Sequence, residues 1–208
     1  VEHGIKNGMN KPGMILVNNP WGESNEIGFK AALAKRGMDY AGIERIEDSD
    51  LDVVPQLTRL KNAGADTLLM VGNVGPSAQV VKSLDRMGWD VPVVSHWGPA
   101  GGRFSELAGP NASRVHFIQT YVFTEHNSAK GDSVLAALKQ RFPEIKSLAD
   151  VTPAVGIANA YDAMHLAAAA IEKAGDTQGS KVRDGFYAIN SYQAVSYTHL
   201  RAHETGRN

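Results

Sequence analysis

From Gly13 onward, short apolar runs recur every 23 to 27 residues, beginning near Gly13, Tyr40, Thr67, Pro92 and Val115, with segments of helical period between them. That interval holds one strand, one helix and two short loops, the unit from which parallel sheets are built. An α/β fold with a parallel sheet of about five strands and helices on both faces is therefore expected from Gly13 to about Tyr121.

The intervening helices have readable ends. Ser24 to Arg36 opens on a capping residue, carries Glu26 in its first turn and stops at Gly37, where a left-handed cap is easily adopted. A second helix near Val53 to Ala63 sets Val53, Leu57 and Leu60 on one face and ends at Gly64; a third groups Val80, Leu84 and Met87 and ends at Gly88. Beyond Tyr121 the character changes. A helix from Asn127 or Ser128 runs towards Phe142 and is ended by Pro143, a long helix follows from about Pro153 to Lys173, and no further strand is expected. In the long helix Ile157, Tyr161, Met164, Ala168 and Ile171 recur at helical spacing, an apolar face that needs a partner. The stretch Val195 to Asn208, VSYTHLRAHETGRN, breaks with what precedes it and resembles a translated sequencing-adapter tail, so poor packing is expected there.

Composition removes several function classes. With 21 basic and 22 acidic residues and a net charge of -1, the chain lacks the cationic surface that nucleic acid requires. It contains no cysteine, hence no disulfide, thiolate nucleophile or cysteine metal site. No apolar run approaches the roughly 20 residues of a membrane-spanning helix, so no direct membrane insertion is expected. Residues Val1 to Asn10 show no basic segment followed by an apolar one, and no secretion signal is visible.

In an open parallel sheet, ligands bind beyond the carboxyl ends of the strands. Three loops fall there: Asn18 to Ser24 after the first strand, Gly72 to Ser77 after the third, and Ser95 to Gly102 after the fourth. Two carry a tryptophan, Trp21 and Trp97, beside glycine. An aromatic there can cover an apolar ligand, or it can cap the local core. Asn73 can hydrogen-bond a ligand or form a turn. His96, the one histidine on this rim, has no second histidine or carboxylate in its loop and suits hydrogen bonding or packing, not metal binding. His199 and His203 have chelating spacing but lie in the tail. Asp48, Asp50 and Asp52 lack the glycine and distal glutamate of a calcium loop and read as a solvated helix entry. No Walker loop, GxGxxG motif or Gly-x-Ser-x-Gly elbow is present, so no catalytic residue, metal site or cofactor is expected.

The strings GMILVNNPWGES, GFKAALAKRGM, LTRLKNAGADTLLMVGN, AQVVKSLDRMGWDVPVV and NAYDAMHLAAAAIEKAG, in this order between Lys11 and Ile189, resemble the type I periplasmic binding proteins related to leucine/isoleucine/valine receptors. The resemblance implies a ligand held between two Rossmann-like lobes that close on binding. It implies that residues 1–123 form the second lobe and that 124–194 supply C-terminal helices of an incomplete first lobe. The first lobe's own sheet would come from upstream of Val1, and 195–208 read as a non-native tail. It further implies a secreted, periplasmic or extracellular protein that delivers a small solute, an amino acid or a related small carboxylic or aromatic compound, to the membrane subunits of an ABC transporter. Trp21 matches an aromatic over the ligand, Asn73 a side chain approaching it and Tyr161 a helix tyrosine facing the cleft. The loop at Trp97 departs from relatives that bind aliphatic amino acids. They often carry a carboxylate there for the ligand ammonium; Glu106 lies too far along to serve. An unpaired ammonium in a dry cleft is costly, which points to an apolar, aromatic or carboxylic ligand. The alternative readings are a ligand-sensing domain of a signalling receptor and a cytoplasmic α/β enzyme.

Overall fold

The computed structural model describes residues 1–196, which divide into two units at the boundary between Gln119 and Thr120. The first opens with a short helix not anticipated from the sequence, α1 (Glu2–Lys6), followed by β1 (Pro12–Val17), α2 (Pro20–Ala34), β2 (Gly42–Ile46), α3 (Val54–Asn62), β3 (Thr67–Val71) and α4 (Val74–Met87). It ends with β4 (Val93–Ser95), α5 (Phe104–Ala108) and β5 (Val115–Phe117). All five strands lie parallel in one sheet of order β2-β1-β3-β4-β5, as the spacing of apolar runs requires.

This order reverses direction after β2, so right-handed crossovers put α2 on one face and α3, α4 and α5 on the other. On the latter face α3 packs on α4 and α4 on α5. Val53, Leu57 and Leu60 are buried as their spacing predicts, as are Val80 and Leu84 of α4, and Gly88 adopts the left-handed cap at φ 58°. On the α2 face one register row runs Met14, Leu69, Val94, His116. Burial fades along it: Met14 and Leu69 are sealed, Val94 is half-buried and His116 is exposed. Glu26 of α2 pairs with both Lys30 and Arg45 of β2, fastening helix to sheet.

Two helix starts correct the sequence reading. α2 begins at Pro20, not Ser24, because Asn19 is the cap: Gly22 N–H donates to Asn19 Oδ1 at 3.0 Å and proline occupies the first helical position. α4 likewise begins at Val74, with Asn73 in the cap position. Much of the first two rim loops is thus the first turn of a helix.

The second unit contains α6 (Ala129–Arg141), α7 (Ala154–Ala174) and α8 (Gly179–Tyr187). Among its described residues no strand forms, as expected. Ser128 caps α6 by accepting from Gly131 N–H at 3.1 Å. Phe123, Val134, Val151, Ala158 and Val195 form its buried cluster. The buried line of α7 is not the expected one. It runs through Val155, Ala158, Asp162 and Ala170, while Met164 and Ile171 stay 72% and 39% exposed. Both lines satisfy the helical period; Ala158 is buried with Phe123, Val134 and Val195, Asp162 binds Val195 and Ser196, and Ala170 lies against Gly185 of α8.

The expectation of poor packing from Val195 on is corrected at its first two residues. Val195 is buried, its N–H donates to Asp162 Oδ1 at 2.6 Å, and Ser196 gives its N–H and hydroxyl to Asp162 Oδ2 at 2.8 and 2.6 Å. Tyr197, Leu200, His199 and His203 lie outside the described residues.

Candidate functional site

β1, β3 and β4 end side by side, and the residues that follow them meet at one edge of the sheet. Trp21 sits in the first turn of α2, which presses onto the end of β1: a Cβ on Gly22 would lie 1.9 Å from the Val17 carbonyl oxygen, so only glycine fits there. After β4, Ser95 donates its hydroxyl to Met70 O at 3.0 Å and the chain turns into a 3-10 segment, Gly98–Gly101. Gly98 lies against the end of β3 and the Trp21 ring; a Cβ there would stand 2.1 Å from Gly72 O and 2.9 Å from Trp21 Cη2.

These close approaches gather three rings. Trp21 and His96 meet edge-on with centroids 5.5 Å apart and planes at 84°, Trp21 and Trp97 are 6.3 Å apart, and His96 and Trp97 5.9 Å apart. Trp21 is half-buried against the core, whereas Trp97 remains 44% exposed. Trp97 is thus the more open of the two tryptophans, while Trp21 packs on the core. Asn73 is exposed at the same edge, and although it occupies the cap position of α4 its side chain makes no capping hydrogen bond. Trp21, Asn73, His96 and Trp97 thus share one edge of the first unit. Tyr161 belongs to the second unit, in α7, where its ring lies 4.2 Å from that of His165.

Burial pushes the His96 imidazole below its ordinary pKa of 6.5, so it is neutral at pH 7. Its Nδ1 is shut away from water and lacks a hydrogen-bond partner. Beside it opens a cavity of about 820 Å³ lined by His96, Phe29, Val94, His116, Phe117 and His3. A neighbouring hollow adds Ser24 and Asn25 of α2, and Asn25 Nδ2 donates to Trp21 O at 2.9 Å.

Sequence reasoning missed Glu47. It follows β2 on the same edge and accepts from Asn18 Nδ2 at 2.6 Å, a pairing of residues far apart in the chain that no local pattern signals. Glu106, set aside on sequence grounds, pairs with Arg103 at 3.1 Å. Among the described residues no cluster of three or more histidine, aspartate or glutamate side chains could hold a metal ion, and no helix is long and apolar enough to cross a membrane.

Comparison with known proteins supplies a family for this architecture. A Leu/Ile/Val-binding protein homologue from Brucella melitensis is 25% identical over 170 residues, covering 82% of this chain and 44% of that protein. A type 1 periplasmic binding protein from Bordetella pertussis superposes with a TM-score of 0.81 at 20% identity, over 95% of this chain and 57% of its own length. A solute-binding protein of an ABC transporter from Rhodopseudomonas palustris, solved with 4-hydroxybenzoate, gives 0.76 at 20% identity over 96% and 54%. The chain thus spans about half the length of the relatives it matches. These structures share the five-stranded parallel sheet flanked by helices of the type I fold. The family model for periplasmic binding proteins, whose members bind solutes outside the cytoplasm, matches residues 2–208, and the chain belongs to that family.

Proposed function

We propose that this chain forms one wall of an extracytoplasmic receptor that binds a small aromatic or carboxylic solute and delivers it to the membrane subunits of an ABC importer, without transforming it. The observation that carries this reading is the meeting of Trp21, His96 and Trp97 beyond the ends of β1 and β4, with one of the three rings left 44% exposed. Open aromatic faces at the carboxyl edge of a parallel sheet suit a flat apolar ligand. The loop that carries Trp97, Ser95 to Gly102, supplies no carboxylate to balance an amino-acid ammonium, which favours a ligand of the kind held by the Rhodopseudomonas palustris protein over a branched-chain amino acid.

Trp21 and Trp97 cover or edge the ligand ring from one side, and Asn73, whose side chain does not cap α4, hydrogen-bonds its polar end. Tyr161 is proposed as a further hydrogen-bonding group on the resemblance alone. Membership of the family supports a periplasmic or extracellular placement. Calorimetric titration of the whole protein with 4-hydroxybenzoate, isoleucine and leucine tests the ligand class. Tight binding of the aliphatic amino acids with none of the aromatic acid would overturn it.

A further inference from the structure

His96 differs from the serine and asparagine side chains that are already paired at this edge. The Ser95 hydroxyl is spent on Met70 O, the Ser77 hydroxyl on Gly72 O, Asn18 Nδ2 on Glu47 and Asn25 Nδ2 on Trp21 O. His96 Nδ1 is both buried and unpaired. Asn73, also uncommitted to its helix, is exposed to water and can satisfy itself there.

A neutral imidazole has one N–H donor and one lone-pair acceptor, on different nitrogens. Burying an N–H without an acceptor is the rarer and more costly of the two arrangements, so the unpaired Nδ1 keeps its lone pair and the proton resides on Nε2. Protonating the ring would place an unpaired N–H at Nδ1 as well. That agrees with the downward push that burial exerts on this imidazole. The rings of Trp21 and Trp97, 5.5 and 5.9 Å away, displace water from around it and strengthen any hydrogen bond it makes.

We propose that His96 is the specificity-determining residue of this edge, locked as the neutral Nε2–H tautomer, and that it donates one hydrogen bond to a carboxylate oxygen of an aromatic ligand. This rests on the reading that the ligand is received among the three rings. The residue acts as a neutral donor, so it selects an acceptor oxygen and rejects a ligand that presents an ammonium at the same point.

Two measurements test it. Nitrogen-15 NMR of the imidazole in the 208-residue chain at neutral pH, with His96 assigned through the backbone, reads the tautomer without any ligand or substitution. The expected spectrum has a protonated Nε2 and a bare Nδ1; a protonated Nδ1, alone or with Nε2, overturns the proposal. In the whole protein, 4-hydroxybenzoate is then titrated into the parent, His96→Gln and His96→Asn, with melting curves to establish that each variant folds. Glutamine sets an N–H where Nε2 stands and asparagine where Nδ1 stands. His96→Gln is expected to stay within about threefold of the parent and His96→Asn to lose about tenfold or more. Equal affinities, or asparagine binding better than glutamine, overturn the assignment. If the parent does not bind 4-hydroxybenzoate, the ligand class proposed above and the hydrogen bond from His96 to it fall together, while the NMR result still decides the tautomer.

Discussion

Gly98 rests directly on the carbonyl oxygen of Gly72: a Cβ added to it would lie 2.1 Å from that oxygen, inside any allowed contact. The atom approached is backbone at the end of a fully buried strand, so it cannot swing aside as a side chain would. Gly98→Ala must push the segment after β4 away from β3. We expect a loss of about 1 to 3 kcal/mol of stability, typical of overpacking, in chemical denaturation of the chain. The same shift parts Trp97 and His96 from Trp21, so the tryptophan emission of the folded variant should move as well. Unchanged stability and emission would refute the close approach.

Trp97→Ala separates ligand contact from core packing. With 44% of the residue exposed, truncation should cost less than about 1 kcal/mol of stability. An aromatic anchor that covers a ligand is worth about 2 kcal/mol or more, so affinity of the whole protein for its aromatic solute should fall by about thirtyfold. Paired melting and titration measurements on one preparation check both. A large drop in melting temperature with unchanged affinity would remove Trp97 from the site.

The pH dependence of stability follows from His96. Burial holds its folded-state pKa below the ordinary 6.5, so below about pH 6.5 the unfolded chain takes up a proton that the folded chain resists. Stability present above that pH is therefore lost as pH falls through the window beneath it. His96→Gln removes this contribution. Between about pH 7.5 and pH 5.5 the parent should lose more stability than the variant, a difference that cancels the titration of the other histidines. An equal loss in both proteins would count against burial of the ring.

The strand framework was legible because β1 and β3 are unbroken apolar runs bounded by turn residues, and the crossover spacing leaves room for one helix each. The helix starts were misread where the signal is a cap followed by proline. Asn18-Asn19-Pro20-Trp21 looks like a loop by composition, yet Asn19 and Pro20 are what begin α2. Sequence reasoning put Trp21 and His96 on one edge but could not foresee their edge-on contact, since it depends on Gly98 lying on Gly72 across the sheet. The buried line of α7 was illegible for a different reason. Two lines on that helix share the period, and the polar Asp162 belongs to the buried one.

Asp162 carries the last prediction. Its side chain is buried to 3% exposure in α7 and accepts from Val195 N–H, Ser196 N–H and the Ser196 hydroxyl at 2.6 to 2.8 Å. Two of the three donors are backbone groups, so the carboxylate fastens the returning chain whatever side chains it bears. Alanine at this position leaves the buried Val195 N–H without a partner, at a cost of about 1 to 3 kcal/mol. Asparagine keeps one acceptor oxygen but turns an amide N–H towards the second donor, and should fall between the two. Amide hydrogen exchange gives the direct reading: Val195 and Ser196 should be protected in the parent, partly in Asp162→Asn and not in Asp162→Ala, while Gly131, whose N–H is held by Ser128, stays as it was. Equal protection of Val195 in all three proteins would show that packing of its side chain against Phe123 and Val134, and not the carboxylate, holds this segment in place.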